Sequence, residues 1–182
     1  LAGDKYFVNI AGGGLLTELT YGVPSRIKSL FGYLAYLVKG AELLPQMKLT
    51  PMHLEYDDGV FDGDASMFLL ALTNSIGGFE KIVPDASLDD GKFTLIVVKT
   101  DNLSEIIQLL TMVVNGGKHI NDPRIMYVKT SQVLVESKDG QMKINIDGEY
   151  GGDAPMLFKD LKQHLQIFAN VDSIPDQALT AL

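Results

Sequence analysis

The chain has 182 residues, 46% of them apolar, and 15 basic against 23 acidic side chains leave it with a net charge of −8. That length and apolar share suit one packed domain with a small extension, and the negative charge repels phosphate backbones and anionic lipid over a Debye length. Nucleic acid is therefore not an expected partner, and any lipid contact has to be apolar and local.

The absence of cysteine removes disulfides and thiolate metal sites. Unbroken apolar runs fall well short of the roughly 18 residues of a bilayer span. No charged-then-apolar leader opens the sequence, which begins at Leu1 rather than methionine. The expected compartment is the cytoplasm, and the chain reads as a fragment or processed piece.

Residues 6–10 predict a short strand running into Gly12, Gly13 and Gly14, with a turn or two of helix over 15–21. The glycines lack G-x-G-x-x-G spacing and a P-loop lysine, which leaves open a phosphate cradle or a tight, closely packed turn. Pro24 opens an amphipathic helix with Ile27, Leu30, Phe31, Leu34, Leu37 and Val38 at helical spacing, ended by Gly40. Its stripe is either core or the wall of an acyl-chain groove.

From Met52 the period changes to strands over 53–56, 60–61 and 67–72, with a turn at Asp57-Asp58-Gly59 and a loop at Asn74, Ser75, Gly77 and Gly78. His53 has no second histidine nearby and reads as a packed or surface residue rather than a zinc ligand. Residues 84–91 form an acidic loop with Asp85, Asp89 and Asp90 around Ser87. Such oxygens suit a hard cation, but the spacing matches no calcium loop and equally describes a solvated turn.

A strand over 92–99 follows, and Asn102 with Glu105 three residues on predicts a capping box before a helix over 103–114 that ends at Asn115-Gly116-Gly117. His119, in the run HINDPR, reads as a loop residue without chemistry. Strands over 125–128 and 132–136 and a turn at Lys138-Asp139-Gly140 lead into residues 141–152. There Met142, Ile144 and Ile146 alternate with Lys143, Asn145 and Asp147, a half-buried strand that bends at Gly148. Asp147 and Glu149 flank the bend, as solvated turn residues or as working carboxylates. Residues 155–161 read as a short turn or helix, 164–168 as a last strand and 171–182 as a loosely held tail.

Strands outnumber helices by about eight to three and the hairpin signals favour antiparallel pairing. The expected fold is mainly β with helices (α+β), an antiparallel β-sandwich lobe with outer helices over 1–169, followed by a loosely ordered tail over 170–182.

Three stretches, FVNIAGGGLLTELT (7–20), IVPDASLDDGKF (82–93) and IDGEYGG (146–152), resemble in order and spacing the soluble bacterial diacylglycerol kinases. The resemblance runs from about residue 6 to 169 and covers the second part of that kinase. The family's N-terminal lobe carries a Gly-Gly-Asp-Gly-Thr loop for ATP, a pentapeptide this sequence does not contain.

The resemblance implies that Glu149 accepts the proton of the lipid hydroxyl and that Asp147 belongs to an Asp–water–magnesium network between the two lobes. It also implies a structural Mg2+ held by Ser87, Asp90 and the Lys92 carbonyl, with Asp89 where the family often has asparagine. ATP is then the donor and diacylglycerol the acceptor. The missing nucleotide-binding lobe is a partner to which the final strand returns, and contact with the inner membrane face is peripheral. The chain alone is expected to fold without phosphorylating lipid.

Two rival readings remain at this level: a kinase for another lipid alcohol or for NAD, and a lipid-binding β-sandwich module without catalysis. A glycosidase would need a fixed carboxyl separation that nothing in the sequence sets.

Overall fold

The computed structural model describes residues 1–14, 48–74 and 81–165. The expected helices over 15–21 and 24–40, most of the glycine loop after Asn74, and the tail lie outside the described residues.

Ten strands run through the described chain: β1 (Ile10–Gly14), β2 (Thr50–Tyr56), β3 (Gly59–Ala65), β4 (Met67–Ala71), β5 (Phe93–Val98), β6 (Ile125–Thr130), β7 (Gln132–Ser137), β8 (Lys143–Ile146), β9 (Glu149–Asp153) and β10 (Met156–Lys159). They form a six-stranded sheet in the order β6-β5-β4-β1-β8-β9 and a four-stranded sheet in the order β10-β7-β2-β3. Every pairing is antiparallel. The expected antiparallel β-sandwich is the fold observed. The chain changes sheets between β3 and β4 within one residue, Ser66, whose N–H donates to the Val98 carbonyl at 2.9 Å.

Period-two alternation divides the six-stranded sheet between two cores. Phe68, Leu70, Phe93, Leu95, Val97 and Ile144 face the four-stranded sheet and meet Met52, Leu54, Val133, Val135 and Phe158. The other face carries Ile10, Ala71, Ile96, Val98 and Ile125, covered by Ile106 and Leu109 of the helix α1 (Leu103–Val114). A central strand covered on both faces has no solvent side to mark with polar residues. That is why β5 is buried at all six positions and reads as an apolar run.

α1 begins and ends where the sequence predicts, and its cap differs in one detail. Asn102 Oδ1 accepts from the Ser104 N–H at 2.9 Å, as an N-cap should. Glu105 does not reach back to the Asn102 amide. It accepts from the Thr100 hydroxyl, which in turn accepts from the Asn102 N–H at 3.1 Å.

Besides β3, which is longer than the expected 60–61, and β9, a strand not expected after the bend at Gly148, two elements differ in kind. The first strand is Ile10–Gly14 rather than 6–10, with the glycines inside it between β4 and β8. The reason is close approach: a Cβ on Gly13 would lie 2.5 Å from the Phe68 ring, and Gly14 has φ +78° with the Ser66 carbonyl 2.5 Å from where its Cβ would be. Gly12 and Gly13 are flanked by ladders on both sides, and Gly14 pairs with Met67 alone. Residues 156–159 are β10, not a turn or helix, with Phe158 buried against the core and paired to Val133. Pro155, after a cis peptide bond, punctuates the chain just before the strand and disguises it. Of the expected last strand, His164 and Leu165 are described and are not in a strand.

Candidate functional site

Ile146 of β8 pairs with Glu149 of β9, leaving Asp147 and Gly148 as a two-residue turn. Both have positive φ, 49° and 93°, the conformation of a type I′ hairpin, which an Asp-Gly pair adopts at little cost. The Asp147 carboxylate does not face solvent empty. Its Oδ2 accepts from the Val8 N–H at 2.7 Å, and its Oδ1 accepts from the N–H groups of Asn9 and Ile10 at 2.9 Å each. The Asp147 N–H in turn donates to the Ile10 carbonyl at 2.8 Å. Beneath the turn, the buried Asn145 accepts from the Gly148 N–H at 3.0 Å.

The two carboxylates thus differ in kind. Asp147 fastens the segment before β1 to the hairpin, whereas Glu149 is exposed and, among the described residues, its carboxylate has no hydrogen-bond partner. No sequence signal pointed to the partners of Asp147, which lie 137 to 139 positions away.

The acidic loop is organised by one ammonium group. Lys129 Nζ on β6 lies 3.4 Å from Asp90 Oδ2 and 3.7 Å from Asp85 Oδ2, and it donates to the Asp85 carbonyl. The Tyr127 hydroxyl donates to Asp85, and burial together with that carboxylate pushes its pKa far up. Ser87 donates to Asp89 at 2.7 Å, and the Lys92 N–H to Asp90 Oδ1 at 2.9 Å. Burial, and then the charge of Asp90, raise the pKa of Asp160.

As a donor set, the Ser87 hydroxyl, the Asp90 carboxylate and the Lys92 carbonyl are all hard oxygens and fit magnesium by chemistry. One Asp90 oxygen, Oδ2, is already engaged by Lys129, and the other, Oδ1, by the Lys92 N–H. Among the described residues, no three His, Asp or Glu side chains gather as a metal cage.

The hairpin and the acidic loop sit at one end of the same sheet. Thr94 pairs with both Lys129 and Ala71, Ala71 pairs with Ile10, and Ile10 bonds Asp147. Four strand spacings separate Lys129 from Asp147 along this row, about 19 Å. The fold therefore brings the two sites to one rim without joining them.

His119, expected to be an inert loop residue, is buried. Its Nε2 is 3.0 Å from the Ile82 carbonyl, and because a carbonyl only accepts, Nε2 carries the proton and Nδ1 is bare. Nδ1 has no hydrogen-bond partner, and burial lowers the pKa of the ring. The rest of HINDPR pins α1: Arg124 donates twice to Asp122 at 2.7 and 2.8 Å, holding that carboxyl down to about 2, and reaches Gln108 of α1 at 3.2 Å.

His119 lines a cavity of about 120 Å3 between α1 and the six-stranded sheet, walled by Met67, Leu69, Ile96, Leu109 and Val113 among others. All of its lining residues except His119 are apolar. Sequence reasoning missed it because its walls come from three strands, a helix and a polar-looking loop.

Residues 21–169 match a family model described as the YegS C-terminal NAD kinase beta sandwich-like domain. The chain is 47% identical over 176 residues to a diacylglycerol kinase of Staphylococcus epidermidis, covering 97% of this chain and 55% of that protein. It is 50% identical over 163 residues to a diacylglycerol kinase of Bacillus subtilis, covering 90% and 53%. A crystal structure of a diacylglycerol kinase from Bacillus anthracis superposes with a TM-score of 0.65 at 21% identity, over 88% of this chain and 52% of that one. The chain thus spans about half the length of the curated relatives it matches.

Proposed function

Given that the chain belongs to the YegS C-terminal NAD kinase β-sandwich-like family, we propose that it is the lipid-substrate lobe of an ATP-dependent kinase that converts diacylglycerol to phosphatidic acid. The observation that carries the lipid reading, against NAD as acceptor, is the cavity under α1. Its walls are apolar apart from His119, a lining that suits hydrocarbon better than a dinucleotide.

In this reading the lipid hydroxyl oxygen bonds to the terminal phosphorus of ATP as the bridging bond to ADP breaks, and Glu149 takes the hydroxyl proton. Its support is the unengaged carboxylate at a rigid hairpin. Asp147 acts by holding that hairpin against residues 8–10. Magnesium, held by Ser87, Asp90 and the Lys92 carbonyl, would supply fixed positive charge at the loop. The nucleotide lobe is a partner, and contact with the membrane is peripheral. Among the described residues, no helix is long and apolar enough to cross a bilayer.

The test is transfer from labelled ATP, with magnesium, to diacylglycerol or to NAD, using the full-length protein that carries this chain and its Glu149→Gln variant. Glu149→Gln is expected to lower lipid phosphorylation by about 10² to 10⁴. Activity within a few-fold of the parent removes Glu149 from the role, and transfer to NAD alone replaces the lipid reading.

A further inference from the structure

The loop over 84–91 holds three carboxylates, Asp85, Asp89 and Asp90, and its counter-charge comes from β6, 39 positions beyond Asp90. Among the described residues, Lys129 is the one ammonium paired with these acids, at 3.4 Å from Asp90 Oδ2 and 3.7 Å from Asp85 Oδ2. It also donates to the Asp85 carbonyl. A single Nζ thus draws the two ends of the loop together, the task that a structural cation performs.

Lys129 is fixed only at its base. Its backbone is paired to Thr94 in the ladder between β5 and β6, but its side chain is 29% exposed and its four-carbon stem is flexible, so the ammonium has a route to water. The neighbouring donors are less free to leave. The Lys92 N–H on Asp90 Oδ1 is backbone, and the hydroxyl on Asp85 belongs to the half-buried ring of Tyr127.

A divalent ion bonded at about 2.1 Å to either oxygen of Asp90 stays within about 8 Å of Nζ while the ammonium keeps its 3.4 Å contact. Like charges that close repel even through water. If Lys129 turns away instead, it gives up its bonds to Asp85 and Asp90. On either course, binding of an ion and the Lys129 contact oppose each other.

We propose that Lys129 is a built-in competitor for the divalent cation of this loop: ammonium and ion draw on the same Asp90 carboxylate, and the ion binds as Lys129 turns out to solvent. This rests on the magnesium reading of Ser87, Asp90 and the Lys92 carbonyl given above, and it adds the residue that sets how weakly the ion is held. The loop keeps its closed shape at low magnesium because Lys129 holds it.

The experiment is calorimetric titration of magnesium chloride into the full-length protein that carries this chain, without nucleotide and at constant ionic strength. Lys129→Gln is expected to bind magnesium about fivefold more tightly or better, the repulsion of a single and a double charge at about 8 Å in water. Lys129→Arg keeps the charge and should stay within about twofold of the parent. Asp90→Asn added to Lys129→Gln should abolish the gain, which assigns it to this loop. In the parent, acetylation of Lys129 read by mass spectrometry should rise with magnesium, and this arm decides the matter if Lys129→Gln does not fold.

Tighter binding by the glutamine variant with faster labelling of Lys129 supports the competition. Equal affinity of parent and Lys129→Gln, or labelling of Lys129 that magnesium leaves unchanged, overturns it while the magnesium reading stands. Weaker binding by Lys129→Gln makes the lysine a support of the site and also overturns the competition. Binding that Asp90→Asn leaves untouched, or no binding by parent and variant alike, removes the magnesium reading of the loop and the competition with it.

Discussion

Replacing Asp147 with alanine should destabilise the chain more than replacing almost any other exposed acid. The substitution removes the acceptor of three backbone N–H bonds at 2.7, 2.9 and 2.9 Å and leaves alanine at φ 49°. Loss of a single capping carboxylate costs about 0.5–2 kcal/mol, and a non-glycine residue without a short polar side chain pays roughly 1–2 kcal/mol in the left-handed region. Water partly replaces the lost bonds at this exposed site, so the sum expected is about 2–3 kcal/mol. For a chain of this size that is a fall in Tm of about 5–10 °C.

Asp147→Gly separates the two contributions, because glycine has no left-handed penalty and should recover about 1 kcal/mol. Asp147→Asn tolerates the turn and keeps Oδ1, but it points an NH2 at the Val8 N–H and should cost about 1 kcal/mol. Urea unfolding of the four proteins measures all of this. An alanine variant within about 0.5 kcal/mol of the parent, or a glycine variant as unstable as alanine, would refute the account of Asp147 as the clamp on residues 8–10.

Gly13→Ala should cost about 1–3 kcal/mol, since its Cβ would lie 2.5 Å from the ring of Phe68, itself wedged at 6.2 Å against Phe158; an unchanged thermal midpoint would mean that β1 moves freely. Asp90→Asn should raise the magnesium needed for half-maximal lipid phosphorylation by the full-length protein, and a superimposable titration would make the loop an ordinary turn held by Lys129. The 182-residue chain alone should fold without forming phosphatidate, so robust product from it would overturn the division of labour proposed above.

The histidines should tilt stability in opposite directions on either side of their ordinary pKa of 6.5. The hydrogen bonds that the ring donates to Glu55 and then to Asp62 raise His53 in the folded state, so its contribution is complete below about 6.5 and is lost as pH rises through the folded pKa. Burial depresses His119, so stability falls as pH drops below about 6.5 towards the folded pKa. His53→Ala should flatten the first slope and His119→Gln the second, read from unfolding midpoints between about pH 5 and 9.

Local chemistry was legible wherever a residue's partners are its chain neighbours. The helix over 103–114 carries its own period and its own cap. The strands over 67–71, 93–98 and 132–137 announce themselves by composition because each packs a pleated face. The alternation of Met142, Ile144 and Ile146 named β8, and the three motif stretches carried the family. The misreadings share one cause. Gly12, Gly13 and Gly14 look like a turn because glycine permits one, but here they are small so that a central strand can approach Phe68 and Ser66, neither of which is near them in sequence. Residues 156–159 look like a turn because Pro155 precedes them, and only the partner strand β7 makes them β10.

The same division separates what the sequence by itself determined from what the tertiary structure decided. Composition, period and turn chemistry determined the antiparallel β class, the bend after Asp147 and the carboxylates to consider, because these depend on residues within a few positions of each other. They left Asp147 and Glu149 equivalent. Folding made one a clamp and left the other unengaged, by bringing Val8, Asn9 and Ile10 across nearly 140 positions of chain to meet a single carboxylate. Likewise, nothing local marks Lys129 as the cation of the acidic loop or His119 as the polar wall of an apolar cavity. The first follows from strand register, which is set by burial of whole faces, and the second from the turn 118–121 packing over the sheet, properties no short stretch contains.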